Sequence, residues 1–429
     1  MEDTVIIIGA GAAGLMAARE LSVAGMETIV LEAAGAPGGR IRTLHGNARH
    51  ENSRAGAFSQ PVEVGAEFVH GHLPLTLRLL KEADIPFHRA GGRMISVNKG
   101  KWNGQDFWQG EWEQLMRRMK EQKKDLPLAE FLSTWFGAKK YAGLRNSVER
   151  YANGFDLADA HTASTHALYE EWNAEDGDQY RIEGGYGRLI AYLVDQCRAN
   201  GAALHFSSPV KKIEWEPGRV SVSTAEGNIF TGAKVIVTVS AGVMQAGAIG
   251  FSPAIPDHMR AFGRLGYGTV IKILMEFRER FWERQQHNLG FIISDEDIPT
   301  WWTQAPDEYA MLTGWVPGAV SKALGDIGEE ELTDRSLSSL APIFSMGRAE
   351  LKEQLVAVQI TDWSTEPFVL GGYSFDTVGS AGARQVLRVP VQETIYFAGE
   401  AIHEGIAPAT VEAALASGQE TAKKIAAQS

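Results

Sequence analysis

The stretch VIIIGAGAAGLMAARELSVAGMETIVLE, from Val5 to Glu32, constrains the fold more than any other part of the chain. It reads as strand, glycine turn, helix, second strand and acidic residue, the opening of a parallel βαβ sheet. The three glycines have separate tasks. Gly9 permits the tight turn, Gly11 lets the backbone come close to a pyrophosphate, and Gly14 lets helix and strand pack tightly. Ala13 lies in the first helical turn, whose free N–H groups and positive dipole end meet phosphates. Glu32 closes the second strand with Ala33 beside it, where a carboxylate can accept both hydroxyls of a ribose. The same acid disfavours a 2′-phosphate. A helix start merely loosened by glycine competes with this reading, but it does not bring strand, helix and acid into register. The opening leaves undecided whether the dinucleotide carries a nicotinamide or a flavin.

A chain of 429 residues fits two or three domains with ample core. Its net charge of -12, with no compensating basic stripe, argues against nucleic acid or an anionic membrane as partner and mildly favours a cationic small molecule. Cys197 is the single cysteine, so neither an internal disulfide nor a thiolate metal cluster can form. It sits in the apolar helical stretch LIAYLVDQCRAN and reads as an inert core thiol. The histidines are scattered without metal-ligand spacing, and no GxSxG elbow occurs, so no metal is expected. The first strand begins by about Val5, which leaves no room ahead of it for a secretory signal, and no apolar run is bilayer-long. A cytoplasmic location is the expectation.

Beyond the opening βαβ unit, residues 75–180 are rich in helix formers and tryptophan, with a basic patch from Arg117 to Lys124 that reads as a solvated face. Alternating residues in 203–239, with turns at Pro217-Gly218 and Glu226-Gly227, predict a β-meander. A further strand set spans 266–316, an acidic helix starts at about Gly328, and the chain closes with the strand TIYFAG and a last helix. Strands at both ends of the chain imply a discontinuous nucleotide domain with a second domain woven through its middle.

Immediately after Glu32, EAAGAPGGRIRT places Gly38, Gly39 and Arg40. Further on stand VEVGAEFVHG, which contains Ala66, Glu67, Phe68 and His70, then SSPVKKIEW with Val210, and YFAGEAIHEGIAPATVEAALASG. Together these stretches resemble the flavin amine oxidase family: monoamine, polyamine and L-amino acid oxidases and the lysine-specific histone demethylases. The resemblance implies FAD. Gly39 and Arg40 would run beneath its pyrophosphate, although alone Arg40 could be an exposed loop arginine. Ala66, Glu67 and Phe68 would pass the flavin ring, and the backbone of Val210 would meet the adenine edge. In the last stretch, Gly399 and Glu400 would reach the ribityl chain. Thr410 and Val411 would open a helix beneath the flavin N1–O2 edge, where a positive dipole end stabilises negative charge. KVIVTVSAGVM also resembles a family strand, but Ser240-Ala241 replaces the usual Pro-Leu.

LGYGTVIKILMEF carries the sharpest question. On a strand, Thr269, Ile271, Ile273, Met275 and Phe277 share one face, while Val270, Lys272, Leu274 and Glu276 share the other. An ammonium between Val270 and Leu274 implies a cavity on that face, or an edge strand from which the lysine snorkels. The resemblance favours the cavity, with Lys272 holding a water against flavin N5, although Ile271 stands where the family has asparagine. In TDWSTEPFVLGGYSF the resemblance makes Trp363 a flavin neighbour and Tyr373 one wall of the substrate cage, with Thr410 opposite; Tyr373 alone could equally be a core residue. Gly372 stands where monoamine oxidases carry the flavin-linked cysteine, so FAD should be held noncovalently. His70 would face substrate. Glu67, His403 and Glu404 remain polar candidates, the last two for specificity.

The expected fold is α/β: a discontinuous FAD-binding Rossmann-like domain (1–73, 182–262 and 391–429) and a substrate domain (74–181 and 263–390) with mixed β-sheet and flanking helices. The expected activity is oxidation of a primary or secondary amine, a polyamine or arylalkylamine, to an imine and then an aldehyde, with O2 reduced to H2O2, in a monomer or homodimer. Two rivals stay open. An L-amino acid oxidase would need an arginine clamp, for which Arg89, Arg93 and Arg181 are candidates. A noncatalytic FAD-stabilised interaction protein would have no need of Lys272, Trp363 and Tyr373 together. A histone-demethylase role is disfavoured, because no long antiparallel helical insertion is present.

Overall fold

The computed structural model describes residues 3–46, 57–103, 109–174, 177–325, 327–405 and 407–428. Its first sheet is parallel, in the order Ala203–His205, Thr28–Leu31, Val5–Ile8, Lys234–Val237, Ile395–Phe397. The central run VIII is apolar at every position because both of its faces are covered. Val5 and Ile7 pack on the helices Ala12–Val23, Gly187–Ala199 and Val411–Ala426 through Leu15, Leu189, Leu193 and Leu415. Ile6 and Ile8 face the opposite layer through Ile213 and Val222. The first and last helices meet closely, since a Cβ at Gly418 would lie 2.2 Å from the carbonyl oxygen of Ala13. The two ends of the chain are thereby locked together.

The meander is shorter than the sequence suggests. Val210–Glu216, Arg219–Thr224 and Ile229–Gly232 are antiparallel with the expected turns between them, and Gly250–Ser252 adds a parallel edge. The outer strands, Ala203–His205 and Lys234–Val237, join the parallel sheet instead. Val235, Ile236 and Val237 are all buried, a run that suits a strand covered on both faces rather than a half-exposed hairpin.

A seven-stranded mixed sheet makes the second body, in the order Leu355–Asp362, Val270–Phe277, Met311–Pro317, Thr300–Thr303, Leu289–Ser294, Arg93–Asn98, Lys101–Asn103. Val270–Phe277 is therefore an interior strand, which rules out the snorkelling edge lysine. Ile271, Ile273, Met275 and Phe277 enter the core with Trp301, Leu312 and Leu340, while Val270 and Leu274 pack with Trp363 on the other face. The helix Glu329–Phe344 covers the first face, with three glutamates in its first turn where the helix dipole favours anions. Four helices, Gln109–Glu121, Leu128–Phe136, Ala142–Asp156 and Thr165–Ala174, form a separate apolar cluster around Phe131, Phe136 and Trp172. Cys197 is a core residue whose thiol burial pushes up to about 12, well out of nucleophile range. Among the described residues no helix is long and apolar enough to cross a membrane.

Candidate active site

One continuous cavity of about 3780 Å³ runs from the glycine turn to the second sheet and the helical cluster. All the site residues expected from the sequence line it except Gly14, which packs behind the turn. A Cβ on Gly14 would fall 1.9 Å from the carbonyl oxygen of Gly9, so only glycine allows the helix to sit this near the strand. Gly9 itself has φ of +104°. Beside Gly11 the space is open: a Cβ there would meet only the Gly38 carbonyl, at 3.8 Å. That open backbone, at the N-terminus of Ala12–Val23, is a cradle of the right chemistry for a pyrophosphate. Ala13 and Gly39 border it, and Ala33 borders Glu32.

The Glu32 carboxylate accepts from the backbone N–H groups of Ala10 at 2.7 Å and Ala34 at 2.8 Å. These bonds fix both oxygens at the end of the strand. Burial raises its pKa, and the backbone donors oppose that shift. Val210 begins the meander strand along the same side of the cavity. This set of residues fits an adenine dinucleotide.

Toward the middle of the cavity Arg40 donates to Glu400 at 2.7 Å and to the Gly372 carbonyl at 2.9 Å. Ser374 donates to the second oxygen of Glu400. The glycine-rich loop is thereby tied to the last motif of the chain. Gly399, with φ of +150°, has nothing near the place a side chain would occupy. Thr410 caps Val411–Ala426: its hydroxyl accepts from the Ala413 N–H and donates to the Ala407 carbonyl. The cage-wall reading of Thr410 is narrowed by this, because its hydroxyl is already committed to the cap. Trp363 is buried, donates to the Val64 carbonyl at 3.2 Å and lies under the Arg42 guanidinium.

Lys272 is 1% exposed. Its ammonium donates to the Gly65 carbonyl at 2.9 Å and to Glu67 Oε2 at 2.8 Å. Glu67 Oε1 accepts from Arg181 Nε at 3.2 Å, Trp302 Nε1 at 3.0 Å and Gln304 Nε2 at 3.4 Å. Burial alone would raise the Glu67 pKa, but Lys272 and Arg181 pull it down to about 2. Each of the other two Arg181 nitrogens also donates to a carbonyl, Nη1 to Ala305 at 2.8 Å and Nη2 to Thr303 at 2.9 Å. Arg181 is thus consumed by structural contacts, which removes it as a clamp for a substrate carboxylate. Arg89 pairs with Asp178.

Around this charge cluster runs a closed circuit of rings. Tyr373 stacks on Trp315 at 6.4 Å, Trp315 meets Trp302 at 5.9 Å, and Trp302 meets Phe68 at 5.8 Å. Phe68 then meets His70 at 5.9 Å and His70 meets Phe155 at 5.8 Å, while the Tyr373 hydroxyl closes the circuit on the Phe155 carbonyl. Burial lowers the His70 pKa to about 4, so the ring is neutral at neutral pH, and its Nδ1 is buried without a partner. Burial also raises the Tyr373 pKa well above its ordinary value. The circuit is apolar in character and carries no net charge at neutral pH. His403 and Glu404 line the cavity nearby, where burial lowers the His403 pKa and Glu404 is paired with Arg388.

Sequence reasoning missed Trp302, Trp315 and Phe155, and it left Arg181 as one of three candidate clamps for the rival amino acid oxidase. Trp302 lies on Thr300–Thr303, a short strand hidden in TWWTQ, and no local pattern marks its ring as cavity-facing. Arg181 stands opposite Phe68 across antiparallel strands, a pairing between distant segments that no local pattern marks.

The family model described as flavin containing amine oxidoreductase matches residues 12–426. Lysine-specific histone demethylase 1B of Mus musculus is 29% identical over 454 residues, an alignment covering 99% of this chain and 53% of that protein. Polyamine oxidase 4 of Oryza sativa subsp. japonica is 26% identical, with 99% and 90% covered. The chain therefore spans about half the length of the mouse and human histone demethylases it matches and most of the length of the polyamine oxidase. Among solved structures, cyclohexylamine oxidase from Brevibacterium oxydans IH-35A superposes with a TM-score of 0.81 at 19% identity, covering 99% of each chain. Putrescine oxidase bound to putrescine gives 0.79 at 23% identity, again covering 99% of each. At these identities the two structures establish a shared fold.

Proposed function

This chain belongs to the flavin-containing amine oxidoreductases, and from that premise we propose that it is an FAD-dependent oxidase of small amines. The observation that carries the proposal is the placement of Lys272: a buried ammonium held on Glu67 and the Gly65 carbonyl, in the cavity that also contains the Gly11 cradle and Tyr373. Gly11 and Ala13 would hold the pyrophosphate, Glu32 the ribose, Val210 the adenine edge, and Glu400, positioned by Arg40 and Ser374, the ribityl chain. With Gly372 next to Tyr373, FAD would be held noncovalently. When bound, FAD would supply the two-electron redox chemistry that links oxidation of an amine to its imine with reduction of O2 to H2O2.

The protein would supply position and polarity. The ring circuit excludes water and presents π faces to the arriving amine. His70, neutral, can accept a hydrogen bond without repelling a cation. Lys272 keeps a positive charge where negative charge develops, and the N-terminus of Val411–Ala426 adds a second positive end. Residues 1–73, 182–262 and 391–429 would form the cofactor domain, and 74–181 with 263–390 the substrate domain. A neutral circuit, with Arg181 already engaged, favours a polyamine or arylalkylamine over an amino acid.

The test is anaerobic mixing of the yellow holoprotein with a panel of amines and L-amino acids, followed by a peroxide assay in air. Bleaching by amines with peroxide release is expected. Bleaching by amino acids alone would replace the proposal with an amino acid oxidase, and no bleaching with any compound would favour a scaffold protein.

A further inference from the structure

We propose that Glu67 is the positioning residue that keeps Lys272 charged and aimed into the redox centre. The inference rests on the reading above that Lys272 faces the flavin. The carboxylate is enclosed and divided in its contacts. Oε1 is pinned by Arg181, Trp302 and Gln304, which leaves Oε2 pointing at the ammonium. Arg181 cannot swing away, because the carbonyls of Thr303 and Ala305 hold its other donors. Its guanidinium also sits 4.7 Å over the Phe68 ring, and the Lys272 ammonium lies 5.6 Å from the Trp302 ring centre. One anion therefore serves two cations and anchors two members of the ring circuit.

The physical need is plain. A buried ammonium without a counter-charge sheds its proton, because the charged form has lost its hydration. Two buried cations facing one another make that worse, and of the two only lysine can yield a proton. The strands on either side of Lys272 contribute no charge at its level: Trp315 and Thr361 stand opposite it. Glu63 is a further ionisable group within electrostatic reach of Lys272, and it accepts from the Tyr186 N–H and the Thr43 hydroxyl. Burial raises the Glu63 pKa to about 7 against the pull of those bonds and of Lys272, so Glu63 is a partial anion at best near neutrality. Glu67 is the full one.

The experiment uses FAD-loaded Lys272→Met, Glu67→Gln and the double variant, with flavin midpoint potential and reoxidation rate measured from pH 6 to 9. Lys272→Met should lower the potential and slow reoxidation. Glu67→Gln should make both quantities fall more steeply with rising pH than in the wild type, toward the Lys272→Met values, with reoxidation losing about 10-fold to 100-fold. The double variant should match Lys272→Met at every pH, because the carboxylate acts through the lysine. In FAD-free protein, Glu67→Gln should lower the melting temperature, and adding Lys272→Met should restore part of the loss, since one buried cation fewer is left uncompensated.

A Glu67→Gln protein with wild-type pH profile and potential, beside an altered Lys272→Met, overturns the inference and leaves the Lys272 reading intact. A silent Lys272→Met overturns that reading itself. Should Glu67→Gln alone fail to fold, the double variant decides: a potential different from that of Lys272→Met means that Glu67 acts by another route.

Discussion

The two ends of the cavity are built on opposite plans. The nucleotide end is made of backbone and missing side chains within one short stretch: Gly9, Gly11, Gly14 and Glu32, with Gly38 and Gly39 just beyond. The reaction end is made of side chains from distant segments, where Glu67, Arg181, Lys272, Trp302 and Tyr373 meet through paired charges and ring contacts. At the first end a change of one methyl group matters by where it points. At the second, a change matters by which charge or ring it leaves without a partner.

The sharpest contrast lies inside the nucleotide end. Gly14→Ala drives a methyl into the Gly9 carbonyl, and neither backbone can yield. The expected cost is about 3 kcal/mol or more, read as loss of soluble protein or a large fall in melting temperature without FAD. Gly11→Ala puts its methyl into open cavity. The FAD-free protein should melt as the wild type does, while FAD affinity falls because the methyl occupies the pyrophosphate approach. Equal damage from both substitutions would break the distinction between a packing glycine and a binding glycine.

At the reaction end the next largest effect is expected from Lys272→Met. It should leave FAD bound and slow flavin reduction or reoxidation on the order of 100-fold; stopped-flow traces of the two half-reactions give the answer. Unchanged rates in both would remove the lysine from the chemistry and reduce the charge cluster to a structural one.

These two plans also explain what could be read from the sequence. The cradle is contiguous, so its glycines, its acid and its sheet were legible from spacing, and the period-2 alternation correctly divided the faces of Val270–Phe277. That alternation left Lys272 ambiguous, because an edge strand and a cavity produce the same local pattern; only the neighbouring strands Met311–Pro317 and Leu355–Asp362 decide it. The side-chain partners of Glu67 lie 114, 205, 235 and 237 residues away in the chain. No local rule links such positions. Arg181 stayed one undecided candidate among three for the same reason: an isolated arginine reads as a free cation until the two carbonyls that hold it are in place. The meander was overextended because strands that pair and strands that return to a parallel sheet have similar compositions.

Glu32→Ala returns to the nucleotide end with a smaller effect. It removes the proposed ribose acceptor and also the bonds that fix the Ala10 and Ala34 N–H groups. A loss of about 1 to 3 kcal/mol in FAD binding is expected, roughly 5-fold to 150-fold in Kd, measured by fluorescence of released flavin. Unaltered flavin content would show that the glycine turn alone suffices.

The last effect, which is confined to acid pH, tests the neutrality of the ring circuit. Burial lowers the His70 pKa from 6.5 to about 4. Between those values the unfolded chain binds a proton that the folded one refuses. His70 therefore costs nothing above pH 6.5 and destabilises the protein progressively as pH falls toward 4, with a slope of at most about 1.4 kcal/mol per pH unit. Glu63 acts in the other direction: with its pKa raised to about 7 from 4.5, the folded state binds the extra proton, and its contribution to stability grows as pH falls through that range. The two oppose one another in the wild type, so its pH curve alone isolates neither. The difference between wild type and His70→Phe isolates the histidine, because Glu63 is common to both. The variant should gain relative stability in acid, with no change relative to the wild type's own slope above pH 6.5. A flat difference curve would mean that the ring is wet in solution, and a wet ring circuit could not exclude water from the reacting amine.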